Sequence, residues 1–264
     1  MFEDVLRSFL EGKISLSETE QVILRRFYEK TEELFLDLER DKRQGFPEVI
    51  FAAGKTVDHV LSAVGKFLEK KGIAFVSNVD DEKKNAIKSR FGNHHIKEAG
   101  RLLVIKKEKN SLEKTIGTVG VITAGTSDVP FAEETSLILE ELGVLVKKSY
   151  DAGVAGMHRP FYALKRTKDS DLLIVFAGME GVLPSLIASA TDLPVIAVPT
   201  PVGYGFGGNG IGALTTMLQS CVAGLLVVNI GNTVGAAAAA VRILRKIRGV
   251  QGGKSARDSG VNKE

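Results

Sequence analysis

Apolar positions in this chain change period along its length, and the changes outline its elements. Residues 2–11 and 17–40 carry apolar side chains at helical spacing, with Val22, Leu24, Leu34, Phe35 and Leu38 forming the stripe of the second segment. Ser17-Glu18-Thr19-Glu20 offers the residue types of a capping box at its start. The pattern then shortens. Glu48–Ala52 and Ile73–Ser77 are apolar runs of strand length, separated by a helical stretch that reaches about Lys71. Asp80–Arg90 follows as a charged helix, and His94–Ala99 and Arg101–Lys106 finish the region as strands joined at Gly100. The spacing shows no internal repeat.

From Thr118 onward, short apolar runs alternate with amphipathic helices, the pattern of a doubly wound parallel sheet. Strands are expected at Thr118–Ala124, Gly143–Ser149, Leu172–Ala177, Pro194–Val198 and Gly224–Ile230. Helices are expected at Phe131–Leu142, Pro160–Lys168, Val182–Ala190 and Ile211–Ser220, with a last one from Thr233 to about Arg248. Ligands of such sheets gather at the C-terminal strand ends.

Charge supports a division of the chain. Residues 1–115 hold 22 Lys/Arg and 20 Asp/Glu, leaving 13 and 12 for the remainder. The reading is an N-terminal helical and small α/β domain over 1–115, a catalytic α/β domain over 116–250, and a polar, irregular tail over 251–264. A net charge of +3 is too balanced for a nucleic-acid footprint. No apolar run approaches the ~20 residues that span a bilayer, so no membrane partner is expected. The opening MFEDVLRSFLEG carries charges where a signal peptide is apolar, and the single cysteine excludes an internal disulfide. Both point to a cytoplasmic protein.

Gly54-Lys55-Thr56 invites a phosphate-loop reading, but that motif needs a glycine five residues earlier, where Val49 stands. A βα turn suits it better. The chemistry concentrates further on. The first strand of the second half ends in Ala124-Gly125-Thr126-Ser127-Asp128 before a helix, a place for a phosphate, with Asp128 available to ribose hydroxyls; an ordinary capped turn needs the same residues. The second ends in DAGVAGMHRP, with His158 able to move a proton and Arg159 able to grip an anion. The third ends at Glu180, a lone carboxylate fit for a metal, a base or a ribose contact, or merely for a helix start. The fourth leads into PTPVGYGFGGNG, whose Gly203, Gly205 and Gly208 have the G-x-G-x-x-G spacing. The dinucleotide fingerprint should follow a first strand and precede an acid by ~20 residues. This loop does neither, and its Tyr204, Phe206 and Gly207 read as a lid over a flat ring. Cys221 lies between the fourth helix and the fifth strand. Lone cysteines are commonly small buried hydrophobes; a reactive thiolate there would need help from His158, Arg159 or a cationic substrate.

Five segments resemble the purE-type aminoimidazole ribonucleotide (AIR) carboxylase superfamily. TAGTSD is similar to its GSxSD phosphate loop and AGMHRP to its AHR segment. AGMEGVLPSLIASATDLPVIAVPTP, LTTMLQSCVAGLLVVNIGN and the Ala-rich last helix follow in order over residues 117–248. The purine-pathway enzymes of this kind have a histidine where Val182 stands, and lack both the N-terminal domain and a cysteine at 221. QGFPEVIFAAGKT, DAGVAGMHRP, PTPVGYGFGGNG and QSCVAGLLVVNIGN resemble instead the LarB family of nickel-pincer-nucleotide cofactor biosynthesis, over nearly the whole chain.

That resemblance implies a flavodoxin-like, purE-type catalytic domain and a pyridinium-3,5-biscarboxylic acid mononucleotide synthase. The substrates implied are nicotinic acid adenine dinucleotide and CO2 or bicarbonate; the ring is carboxylated at C5 and AMP is released. Cys221 is then the nucleophile that activates the electron-poor ring. Ser127, Asp128 and Arg159 hold phosphate and ribose, and His158 is the candidate for proton transfer. Glu180 assists phosphoanhydride cleavage, with Mg2+ as a candidate aid; no tightly bound cofactor is expected. A homo-octamer is also implied, with the Ala236–Ala240 helix expected to pack between subunits. The alternatives are an N5-carboxyaminoimidazole ribonucleotide mutase-like enzyme, which Val182 and Cys221 argue against, and a non-catalytic nucleotide-sensing module, which would bind without turnover.

Overall fold

The computed structural model describes residues 2–27, 29–30, 35–108 and 115–257. The chain packs as two units, one of Met1–Lys97 with Arg101–Lys109 and the other of Glu98–Gly100 with Asn110–Glu264. The sequence places the boundary between 115 and 116, and residues 109–114 just before it lie outside the described residues.

The N-terminal unit opens with α1 (Glu3–Leu10) and α2 (Leu16–Phe27). The capping box sits two residues earlier than the sequence suggested. The Ser15 hydroxyl accepts from the Glu18 N–H at 3.2 Å, and the Glu18 carboxylate accepts from the Ser15 N–H at 2.7 Å. The Ser15 N–H and the Ser15 hydroxyl both donate to the Glu18 carboxylate, and these bonds hold its carboxyl below its usual pKa. The helix expected over 17–40 ends at Phe27. Beyond it, β1 (Glu29–Lys30) and β2 (Phe35–Leu36) pair antiparallel, and α3 (Arg40–Gln44) is a separate short helix. Leu36 is buried in the core of this unit, and that packing overrides a local helical pattern.

Next come β3 (Val49–Phe51), α4 (Val57–Lys71), β4 (Ile73–Ser77), α5 (Asp81–Arg90), β5 (His95–Ala99) and β6 (Leu102–Lys106), whose strands form a sheet in the order β3-β4-β6-β5. Val60, Ala63, Val64, Phe67 and Leu68 recur at helical spacing and bury one face of α4. The GKT segment is a βα turn. Thr56 is the N-cap of α4, its hydroxyl accepting from the His59 N–H, and Lys55 donates to the Phe51 carbonyl at 2.9 Å.

The second unit is a five-stranded parallel sheet of β7 (Gly117–Thr123), β8 (Val144–Ser149), β9 (Leu172–Ala177), β10 (Val195–Pro199) and β11 (Leu225–Val227). Its order is β11-β10-β9-β7-β8, the flavodoxin-like 2-1-3-4-5 arrangement. The connecting helices are α6 (Val129–Glu141), α7 (His158–Thr167), α8 (Leu183–Ser189) and α9 (Ile211–Leu218). Every residue of β9 is buried, as expected of a strand covered on both faces. Leu173, Val175 and Ala177 alternate onto one face and pack with Ala163 of α7, Leu183 and Ile187 of α8, and Ala213 and Met217 of α9. On the other face α6 packs against the last helix, α10 (Thr233–Arg257). Ala236, Ala237 and Ala240 are fully buried there within the subunit, while Ala238 and Ala239 of the same run are half-buried. α10 is assigned through Arg257, past the residue 251 at which an irregular tail was expected; 258–264 lie outside the described residues. Among the described residues no helix is long and apolar enough to cross a membrane.

Candidate active site

In the parallel sheet, β7 and β9 are neighbours although β8 lies between them in the chain, so the strand order reverses at that point. The loops leaving such a switch point diverge and open a crevice. Here the crevice is a hollow of about 360 Å3, lined by Ala124–Asp128 after β7, Asp151 and Gly153–Ala155 after β8, Ala177–Glu180 after β9, and Val202 after β10. A wider hollow of about 580 Å3 in the N-terminal unit runs along α4 to Arg90 and Phe91. It is an open trough of mixed charge and gathers no set of strand ends.

Each wall of the crevice has a distinct chemistry. Gly125 and the 3-10 turn Thr126–Asp128 lead into α6. Ser127 is exposed at the hollow, whereas Asp128 is buried. One Asp128 oxygen accepts from the Gly125 N–H at 2.9 Å, and the other from the Thr200 hydroxyl at 2.6 Å. Burial pushes its carboxyl above the ordinary pKa, and these two hydrogen bonds only partly oppose that. Thr200 closes β10 and is fully buried; the sequence reading did not single it out.

Asp151 and Met179 turn the chain after β8 and β9 with φ of 56° and 50°, and Asn209 does so in the loop after β10 with φ of 57°. Among the described residues, three of the four non-glycine residues in this region of φ thus sit at the ligand edge of one sheet, where such strain tends to collect around function. The Met179 turn, followed by Gly181 at φ 67°, presents Glu180 to solvent at the mouth of the hollow. Gly178 is needed because a Cβ there would lie 2.2 Å from the Val202 carbonyl oxygen and 2.8 Å from the Thr200 hydroxyl.

His158 opens α7 and is exposed. Arg159, one residue on, donates to the Asp151 carboxylate at 3.0 Å and so reaches the hollow through a residue that lines it. Tyr204 and Phe206 stand fully out on the glycine loop, at 82% and 112% exposure. Gly207 packs backbone to backbone against α9, since a Cβ there would meet Gly212 Cα at 2.9 Å. Cys221 is exposed between α9 and β11. Its neighbour Ser220 accepts from the Ser185 hydroxyl of α8 at 2.8 Å and from the Val222 N–H at 3.2 Å.

Ser127, Asp128 and Glu180 therefore line one hollow, with Arg159 joined to it by Asp151. His158, Tyr204, Phe206, Gly207 and Cys221 do not line that hollow in the single chain. Among the described residues no three His, Cys, Asp or Glu side chains gather as a metal centre. One or two carboxylates with substrate phosphates is the usual set for Mg2+, and Glu180 has the chemistry to belong to one.

The comparisons agree with this fold. The family description for a LarB/PurE-like N-terminal domain matches residues 28–108, and that for AIR carboxylase matches residues 118–249. The chain is 47% identical over 241 residues to an uncharacterized protein of Methanocaldococcus jannaschii, covering 88% of this chain and 93% of that one. It is 35% identical over 134 residues to an N5-carboxyaminoimidazole ribonucleotide mutase of Pyrococcus horikoshii, 48% of this chain and 71% of that one. A mutase of the same name from Saccharolobus solfataricus is 32% identical over 133 residues, 48% of this chain and 80% of the relative.

Proposed function

The chain belongs to the LarB/AIR carboxylase superfamily, and from that premise we propose that it carboxylates the pyridinium ring of nicotinic acid adenine dinucleotide at C5 and cleaves its phosphoanhydride, for nickel-pincer cofactor synthesis. The observation that carries this reading is the pairing, in one chain, of a LarB/PurE-like N-terminal match with an AIR carboxylase match. The mutases match only about half of this chain. The products are AMP and pyridinium-3,5-biscarboxylic acid mononucleotide, made in the cytoplasm.

The chemistry balances with the residues at hand. The Cys221 thiolate adds to C4 of the ring; an S–C bond forms and the ring's electron pair moves onto nitrogen, giving a 1,4-dihydropyridine. Its enamine carbon C5 attacks CO2, and as that C–C bond forms the nitrogen becomes cationic again. His158 takes the proton from C5, the electrons return to the ring, and expulsion of the thiolate restores the aromatic pyridinium. Separately, water adds at the phosphoanhydride and the P–O bond to AMP breaks. Ser127 and Arg159 hold the phosphate and Glu180 orients the water, whereas Asp128, expected from the sequence to meet the ribose, is buried with both oxygens bonded inside and braces the turn beneath the substrate. Mg2+, if used, would be held by Glu180 with the substrate phosphates and would neutralise charge on them.

At about 360 Å3 the hollow is at the small end of ligand sites, which run from ~300 to 1,000 Å3. It suits the mononucleotide half of the substrate, with the adenylate extending past its exposed mouth. Cys221 lies outside this hollow, so ring and thiol meet between subunits of the octamer, under the Tyr204–Phe206 loop. The test is mass spectrometry after incubation with nicotinic acid adenine dinucleotide and 13C-bicarbonate. The expected product carries one labelled carboxylate and appears with AMP, and Cys221→Ser should abolish the label. Wild-type protein that leaves this dinucleotide unchanged but converts N5-carboxyaminoimidazole ribonucleotide would overturn the proposal.

A further inference from the structure

Thr200 occupies an unusual place among the strand ends. It stands between Pro199 and Pro201, so in that triplet it alone has a backbone N–H to donate, and the proline after it restricts its backbone to extended forms. That N–H goes to the Ala177 carbonyl at the end of β9, 3.0 Å away. Its hydroxyl goes to Asp128, beyond the end of β7. One buried residue thus ties the ends of β7, β9 and β10 together. It also begins the glycine loop, which returns onto it: a Cβ on Gly210 would lie 2.8 Å from the Thr200 carbonyl oxygen.

We infer that Thr200 is the positioning residue of the substrate turn, orienting the Asp128 carboxylate so that Gly125 and Ser127 face the hollow. Asp128 braces its turn by accepting from the Gly125 N–H with one oxygen, and that oxygen keeps its direction only while the other is held. Charge-assisted hydrogen bonds to a buried carboxylate are the strong kind, and among the hydrogen bonds here the Thr200 hydroxyl supplies one. Gly178 keeps the side of that hydroxyl clear, since any Cβ there would crowd it at 2.8 Å. Remove the hydroxyl, and the carboxylate is left with an unmet site in an apolar wall. It then rotates toward the water of the hollow and releases the Gly125 amide.

The inference rests on the proposed binding of a nucleotide phosphate and ribose at this hollow, so its test includes a measurement that needs no ligand. Hydrogen exchange of the 125–129 segment in the ligand-free octamer should be about tenfold faster in Thr200→Val than in wild type, since an amide-bracing contact is lost. Thr200→Ser, which keeps the hydroxyl, should restore it. With nicotinic acid adenine dinucleotide as the probe, Thr200→Val should raise KM about tenfold while kcat stays within about threefold, and Thr200→Ser should restore KM. Should the valine variant misfold, Asp128→Asn, which keeps shape but loses the charge, should speed exchange of the same segment. Exchange and KM in Thr200→Val both within twofold of wild type would overturn the inference. Faster exchange in a protein whose wild type binds no such dinucleotide would leave Thr200's role standing and remove the substrate reading.

Discussion

The three acidic residues at the ligand edge are sorted by burial and by partner. Asp128 is enclosed, carries a raised pKa and spends its oxygens on internal donors. Asp151 is half-exposed and engaged by Arg159, and Glu180 stands in the open mouth. Arg159 was legible in the sequence because an His-Arg pair on a glycine-flanked turn is conspicuous among so few charges. Thr200 was not: a threonine after an apolar strand is common, and only the fold shows that Asp128, 72 residues away, needs its hydroxyl. The Arg159–Asp151 pair is solvent-exposed on both sides, and such pairs are worth about 0–1 kcal/mol to folding. Arg159→Ala should therefore leave the melting temperature nearly unchanged. Removing a charge-assisted contact to phosphate, worth roughly 1.5–3 kcal/mol, should weaken nicotinic acid adenine dinucleotide about ten- to a hundredfold. Calorimetric titration beside a thermal melt separates the two effects. Unaltered affinity would show that the arginine serves Asp151 rather than the substrate.

Elements were legible to the extent that local pattern and tertiary packing agreed. The three central strands of the parallel sheet, β7, β9 and β10, read clearly because both faces are buried, which makes each a largely apolar run. The stretch 17–40 misled because Leu34, Phe35 and Leu38 continue a helical spacing, while Leu36, off that stripe, is buried in the core of the N-terminal unit with Leu38 packed against it at strand spacing. At the ligand edge the glycine pattern gave the loop but not its neighbours. Gly178 is a case in point, since nothing in the local sequence announces that the Val202 carbonyl crosses above it. That close approach makes an element-level prediction. Gly178→Ala would force β9's exit and the start of the glycine loop apart, and overpacking of this kind typically costs about 1–3 kcal/mol. The variant should melt several degrees lower and lose most of its substrate affinity, whereas Gly205→Ala, which meets no atom within 4 Å, should change affinity far less despite its φ of 74°. Equal affinities of the two variants would mean that the spacing of the β9 and β10 exits does not shape the hollow.

For the whole molecule, the unresolved tension in a single chain is the separation of Cys221 from the hollow. Exposed apolar side chains fall on the elements around it: Tyr204 and Phe206 on the glycine loop, Ile211 and Leu218 on α9, and Leu226 on β11, an edge strand. Surface of that kind is commonly covered by a partner, and in a closed symmetric assembly the partner is another copy of the chain. If each site takes its hollow from one subunit and its thiol from a neighbour, two differently disabled proteins should complement each other. Cys221→Ser keeps the hollow and lacks the thiol; Arg159→Ala with Glu180→Gln keeps the thiol and lacks the hollow. Each homo-octamer should be inactive. Octamers assembled from equal amounts of the two, purified through separate tags, should have about a quarter of their sites intact, because hollow and thiol are drawn independently from two subunits. Carboxylation measured with labelled bicarbonate should recover to about that fraction of the wild-type rate. Hybrids no more active than their parents would place thiol and hollow in the same chain, and light scattering that shows a monomer at micromolar concentration would remove the octamer altogether.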